Sequence, residues 1–475
     1  MSAADKTPPP ALRVFCNRTL NLRGVRAIGY DMDYTLIHYD VDEWEREAFV
    51  HARAILAEQG WPVTDLSFDP DAFTLGLVFD LDLGNLVKAS RFGYVVRAQH
   101  GEHHVAFEDQ REIYHGTVVD LGEERFEFMN TMFELSRAAL WTQLVEHHDK
   151  SPLPGVNSYA QLYREIDMAL RDAHWRGELK AAIVSDPDRF VKKDRGIVPM
   201  LQDQRLAGKQ LLLITNSDWT YTQKMMSWCF DHQMPSDQTW RDLFDVVIVA
   251  AGKPRFFSDE GPVYEVVDRE ASLLAPHLGD LETGRVYHGG NARMVEAALG
   301  HSAAQFLYVG DHLFGDVHVT KDLLRWRTAL IAHELEDEIE AAAKFVADEQ
   351  RLQKLMADKV ELEHRQARLR LERRRAVVDG VDRTSIEAEL DTVTSQTSAL
   401  DDEVAPLARA SAEQGNPIWG PLMRAGADKS LFARQVERYA DVYTSRVSNF
   451  RYETPYAYLR AARGSLPHDS ASESV

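Results

Sequence analysis

Four short apolar runs, each breaking off into residues that carry chemistry, constrain this chain more than any other feature. Val25 to Tyr30 ends in Asp31-Met32-Asp33-Tyr34-Thr35, and Leu211 to Ile214 ends in Thr215-Asn216-Ser217. Val246 to Ala251 stops just before Lys253, and Phe306 to Val309 runs into Gly310-Asp311-His312-Leu313-Phe314-Gly315-Asp316. Such runs read as strands, and the helical patterns between them, Tyr221 to Phe230 and Met294 to Leu299 among them, make the alternation an α/β one. A parallel, doubly wound sheet with right-handed crossovers follows, with Trp326 to Ile331 as a further strand. In such a sheet ligands bind beyond the carboxyl ends of the strands, so all four stretches converge on one site.

The rest of the composition narrows the partners. Lys and Arg number 54 against 75 Asp and Glu, a net charge of −21 that repels nucleic acid unless a basic patch is concentrated somewhere. Two cysteines, Cys16 and Cys229, are too few for a disulfide framework or a thiolate metal site, and a reducing cytoplasm fits them. Met1 to Pro10 is polar, and no apolar run reaches the ~20 residues a membrane span needs. No membrane partner is expected.

Along the 475 residues we expect a disordered tail at 1–11 and a discontinuous catalytic core at 12–45 and 190–333. An inserted cap at 46–189 has its own strands and helices, with Phe73 to Phe79 strand-like and Phe126 to His147 helical. Residues 334–415, rich in Glu, Arg, Leu, Ala and Gln, read as a long helical hairpin turning near Asp379-Gly380-Val381-Asp382. Its basic cluster Arg370, Arg373, Arg374 and Arg375 reads as a charged helix face. Residues 416–466 read as a segment packing back on the core, and 467–475 as a disordered tail.

The chemistry of the four stretches is phosphoryl transfer. Phosphate monoesters hydrolyse extremely slowly unaided, so a catalyst needs a placed nucleophile, charge neutralisation and a proton for the leaving oxygen. Asp31 supplies the nucleophile and forms an aspartyl-phosphate; Asp33 protonates the leaving alkoxide and then activates water. Two carboxylates facing a phosphate dianion need a hard cation, and Mg2+ fits Asp31, the Asp33 backbone carbonyl and Asp311, with Asp316 orienting a water or completing the shell. Lys253 adds a fixed positive charge, and Thr215 and Asn216 donate to the phosphate oxygens. Each signal alone is common. Asp80-Leu81-Asp82 repeats the Asp-x-Asp pattern without the strand-exit company and reads as cap surface. What counts is four such stretches in order, each after a strand.

These residues resemble the haloacid dehalogenase (HAD) superfamily and, within it, the cytosolic purine 5'-nucleotidase family. The resemblance extends to Gly76-Leu77-Val78-Phe79-Asp80, Gly84-Asn85-Leu86-Val87-Lys88, Arg125-Phe126, Asn130-Thr131, His174-Trp175-Arg176-Gly177-Glu178-Leu179-Lys180, Lys253-Pro254-Arg255-Phe256-Phe257, Trp326-Arg327-Thr328 and Gln435 to Asp441, and covers roughly Leu12 to Pro467. It implies a HAD-like Rossmannoid sheet with an inserted α+β cap, and magnesium-dependent hydrolysis of purine nucleoside 5'-monophosphates. It places Asn216, Ser217, Asp218, Phe133, His174 and Lys180 about the nucleotide. Assembly into a homo-oligomer is implied by the resemblance alone. Asp167 stands where an arginine is expected, with Arg171 one turn later, and Glu134 stands where purine-preferring relatives carry asparagine. Lys321 is followed by Asp322 where effector-regulated relatives have a lysine pair, while Arg438 and Tyr439 keep their likeness to that effector site. A phosphotransferase, or a phosphatase for another small phosphomonoester, would use the same catalytic residues. A non-enzymatic partner-binding role for the hairpin is the reading from another class.

Overall fold

A computed structural model describes residues 7–464. The expected tail at 467–475 lies outside the described residues. Within the one expected at 1–11, Pro10–Leu12 is a 3-10 turn with Ala11 buried. The described residues up to 336 and from 422 on form one compact unit and 337–421 another.

The first unit is built on a ten-stranded sheet. Its order is Phe15–Cys16, Val442–Thr444, Arg327–Ile331, Phe306–Gly310, Ala27–Tyr30, Gln210–Ile214, Val246–Val249, Arg285–Gly289, Val263–Asp268 and Leu273–Pro276. The strands from Val442–Thr444 to Arg285–Gly289 run parallel, and the outer ones are antiparallel. The parallel, doubly wound core expected from the apolar runs is present. Alternation along those runs feeds two cores: Leu211 and Leu213 pack with Ile28, Tyr30, Val247 and Val309, whereas Leu212 and Ile214 pack with Ala27, Val246, Ile248 and Tyr308. Sheets covered on both faces need continuous apolar runs, which is why these strands stood out. Within the segment 416–466 that was expected to pack back on the core, Val442–Thr444 is itself a strand of the sheet.

The insert carries a five-stranded antiparallel sheet in the order His103–His104, Val95–His100, Asn85–Ala89, Val78–Asp80 and Phe126–Phe128. Three expectations are corrected here. The strand begins at Val78, because Gly76 turns at φ 77° in front of it and Phe432 packs where its side chain would stand. Phe126–Phe128 is a strand, with both phenylalanines buried about an exposed Glu127, and the helix starts at Leu135. Asp80 is not cap surface. It is fully buried, takes both arms of Arg125 at 2.8 and 2.7 Å and accepts the Tyr114 hydroxyl at 2.9 Å, whereas Asp82 is exposed.

The boundary expected at 45/46 falls inside a helix, Val41–Glu58, which Asp40 caps by accepting the Glu43 N–H. Within it Glu45 is fully buried, and its Oε2 accepts the Ser136 N–H at 2.7 Å, satisfying a free donor at the start of helix Leu135–Lys150. Burial raises the Glu45 carboxyl to about 7, partly offset by the Ser136 bonds. A folded-state pKa above the ordinary glutamate value means stability is present at low pH and lost as pH rises from about 4.5 through about 7. Glu45→Gln keeps the acceptor and removes the charge. We expect it to stabilise the protein by roughly 2–4 kcal/mol at pH 8 and by almost nothing at pH 4.5, read from denaturant midpoints; a difference that ignores pH would contradict the assignment.

The second unit is a helical hairpin, formed by the body of Leu335–Asp379 and Thr384–Ala412. Leu369, Leu390 and Val393 form its buried seam, flanked by the Lys359–Asp401 and Arg351–Glu403 ion pairs. Among the described residues no helix is long and apolar enough to cross a membrane.

Candidate active site

Sheet register brings three of the four stretches level. Tyr30 pairs with Val309 on one side and Leu213 on the other, so Asp31, Thr215 and Asp311 leave neighbouring strands within about a residue of one another. The chain then turns sharply, with the Met32 carbonyl accepting the N–H groups of Leu36 and Ile37. Tyr34 sits in the left-handed region at φ 53°, an arrangement costly for a bulky side chain. Packing holds it there: Phe133 lies edge-on at 4.4 Å, Tyr39 at 5.4 Å and Trp44 at 6.3 Å.

Lys253 stands at the centre. Its Nζ lies 2.7 Å from Asp31 Oδ1 and 2.8 Å from Asp316 Oδ1, and donates to the Tyr308 hydroxyl at 3.1 Å. Burial works against its charge, but the two carboxylates overcome burial and hold its pKa well above the usual lysine value. Asp31 is pushed up to about 7 by burial, with Asp316 and Asp33 adding to the rise and Lys253 opposing it. Asp311 is raised well above the carboxylate range by burial and by the neighbouring Asp31 and Asp316. Asp31, Asp311 and Asp316 each bring an oxygen within 4.8 Å of the others. Gly310 makes room for this, because a methyl group there would strike the Asp316 carboxylate. Crowded carboxylate oxygens are hard donors, and this set fits a hard dication such as Mg2+.

The carboxylate of Asp33 is not in that cluster. Tyr39 donates to its Oδ1 at 2.7 Å and Ser217 to its Oδ2 at 2.8 Å, and the Tyr221 hydroxyl lies 2.9 Å from that of Tyr39. Burial raises the Asp33 pKa despite these donors. Any metal contact from Asp33 is therefore left to its backbone carbonyl.

Several residues expected about the ligand also bond within the protein. Asn216 donates to the Lys253 carbonyl at 3.1 Å and accepts the Lys253 N–H at 2.7 Å, so its amide fixes the lysine loop. Ser217 holds Asp33. Asp218 caps helix Trp219–Phe230 and pairs with Lys180 at 3.4 Å. Thr215 is fully buried, and its Oγ accepts the Ser217 N–H. From the cap, Thr131 donates to Asp311 Oδ2 at 3.2 Å, and Phe133 and His174 both lie against Trp44, at 5.2 and 6.5 Å. Burial drives the His174 pKa down to about 4, with Lys180 and Arg137 adding to the shift. Sequence reasoning missed Tyr39, Tyr308 and Thr131 as parts of this site. Only Thr131 lay in a stretch that carried the resemblance.

The model of the 5' nucleotidase family matches residues 14–471. The human 5'-nucleotidase domain-containing protein 2 is 29% identical over 96% of this chain and 85% of its own length. The rat protein of the same name is 31% identical over 69% of this chain and 60% of its own. Among solved structures, a haloacid dehalogenase-like family hydrolase from Xanthomonas campestris is 14% identical, covering 65% of this chain and 82% of its own, at a TM-score of 0.26. CbbY from Rhodobacter sphaeroides, in complex with phosphate, is 13% identical over 65% and 86%, at a TM-score of 0.25. With the family model spanning residues 14–471, the chain belongs to the 5' nucleotidase family, a family of phosphoric monoester hydrolases.

Proposed function

We propose that the protein is a magnesium-dependent 5'-nucleotidase that hydrolyses nucleoside 5'-monophosphates through an aspartyl-phosphate at Asp31. The observation that carries this reading is the gathering of Asp31, Asp311 and Asp316 about the buried Lys253. Met32 N–H and Lys253 both hold Asp31 Oδ1, and Oδ2 is the attacking oxygen. Its bond to phosphorus forms as the bond from phosphorus to the 5'-oxygen breaks. Asp33, its carboxyl raised by burial, gives that oxygen its proton and then takes one from the water that attacks the phosphorus of the acyl phosphate. A magnesium ion held by the three carboxylates and the Asp33 carbonyl would offset their repulsion of the phosphate. With Cys16 and Cys229 both free thiols, the reducing cytoplasm is the compartment we propose.

Phosphate release from AMP, GMP, IMP, CMP and UMP tests the reading. We expect release with magnesium and its loss in excess EDTA, restored by added magnesium; turnover that persists in EDTA would contradict it. Tyr39→Phe removes one donor from Asp33, and a hydrogen bond to a charged group of about 1.5–3 kcal/mol corresponds to a roughly ten- to hundredfold fall in kcat. Unchanged kcat would remove Tyr39 from the mechanism. Purine selectivity does not follow from the geometry, since the carboxylates at Glu134 and Asp167 are already bound to protein donors.

A further inference from the structure

We infer, independently of the catalytic site, that the turn end of the helical hairpin docks on an anionic lipid bilayer through a face of unpaired arginines and bare aliphatic side chains. Such attachment needs no membrane span. Seven arginines lie between Arg365 and Arg383 against Glu372, Asp379 and Asp382, in a chain whose net charge is −21. Two of the seven are neutralised within the hairpin, Arg365 by Glu389 and Arg383 by Glu387 at 3.1 Å. Among the described residues Arg370, Arg373, Arg374 and Arg375 have no ion-pair partner. Of the three acids, Asp382 is held at the turn by the N–H and hydroxyl of Thr384, at 3.0 and 2.7 Å.

Helix geometry sorts this segment into stripes. Leu369 and Ala376, seven apart, are buried, the first in the seam with Leu390 and Val393. Glu372 and Asp379, also seven apart, run along one flank of that stripe, and Arg370, Leu371, Arg374, Val377 and Val378 fall together on the side away from them. Leu371, Val377, Val378 and, in the turn, Val381 are between 52% and 84% exposed. Single exposed aliphatics are ordinary, but a group of them set among uncompensated arginines marks an interaction surface. At a bilayer, arginines hold lipid phosphates while neighbouring aliphatics sink toward the acyl chains. Val377 and Val378 stand four residues beyond Arg373 and Arg374, about 6 Å along the axis, which is the depth to which interfacial side chains reach. A nucleic acid would engage the arginines alone and leave the valines bare, and residues 366–395 hold no aromatic ring for a base to stack on.

Sedimentation of the full-length protein with lipid vesicles tests this. The protein is expected to partition onto phosphatidylcholine vesicles carrying about 30% phosphatidylserine and to stay in solution with phosphatidylcholine alone. Binding is expected to be lost between about 0.1 M and about 1 M salt, as the Debye length falls from ~10 to ~3 Å. Near an anionic leaflet each basic residue adds about fivefold to partitioning, so the double variant Arg370→Gln/Arg374→Gln is expected to bind roughly 25-fold more weakly. Both side chains are exposed, and circular dichroism should show the helix content unchanged. Arg370→Lys/Arg374→Lys keeps the charges and is expected to bind within about threefold of wild type. Absence of binding to the phosphatidylserine vesicles, equal binding to both kinds, or undiminished binding by the glutamine variant overturns the inference. So does tighter binding to a DNA duplex than to the vesicles.

Discussion

Asp31→Asn protein is expected to fold, melt within a few degrees of wild type and release phosphate at least roughly ten-thousand-fold more slowly. The fold should survive because Lys253 keeps Asp316 at 2.8 Å, and because the lost carboxylate is one that burial disfavours. Catalysis should not survive, because an amide oxygen is too weak a nucleophile to displace an alkoxide from phosphorus. Steady-state phosphate release set beside thermal melting checks both halves. Residual turnover within about a hundredfold of wild type would move the nucleophile elsewhere.

Lys253→Met carries the second large effect, and here stability and activity fall together. The lysine side chain is 4% exposed and lies between two buried carboxylates, so its loss leaves those charges facing each other with no cation between them. Breaking a buried ion pair by removing one member costs roughly 3–5 kcal/mol. The same change removes a fixed cation from the phosphate site, worth about a hundredfold to a thousandfold in kcat by analogy with other preorganised donors. Denaturant unfolding and phosphate release on one preparation would show both losses. A variant as stable as wild type would mean that the Asp31 and Asp316 contacts contribute nothing.

What could be read from the sequence, and what could not, follows from how far apart the interacting residues lie. Leu211 to Ile214 and Phe306 to Val309 announce themselves because a strand buried on both faces must be apolar throughout, and the polar residue ending each run then marks the sheet edge. Val263–Asp268 and Leu273–Pro276 lie at the outer edge, where only some positions are buried, and their mixed composition gave no such signal. Phe126–Phe128 is three residues long, too short for its alternation to stand out against the helix that follows. Asp80 looked like surface because its burial depends on Arg125 and Tyr114, partners 45 and 34 residues away. In the site, the acidic and basic residues were legible because phosphate chemistry calls for them. The supports were not: Tyr308 reaches Lys253 from another strand, and Asn216 clamps the lysine loop through main-chain groups that no side-chain pattern announces. Glu134 and Asp167 were visible as departures, but their shared partner Arg137 was not.

The account depends on Asp31 becoming esterified during turnover, and trapping that ester is the most direct test. Protein mixed with saturating nucleoside monophosphate and magnesium, quenched with borohydride during the steady state and digested for mass spectrometry, should carry homoserine at position 31, the product of reducing an acyl phosphate. The account predicts that modification in wild type and its absence when substrate is omitted. Turnover with position 31 unmodified, and another carboxylate reduced in its place, would contradict it.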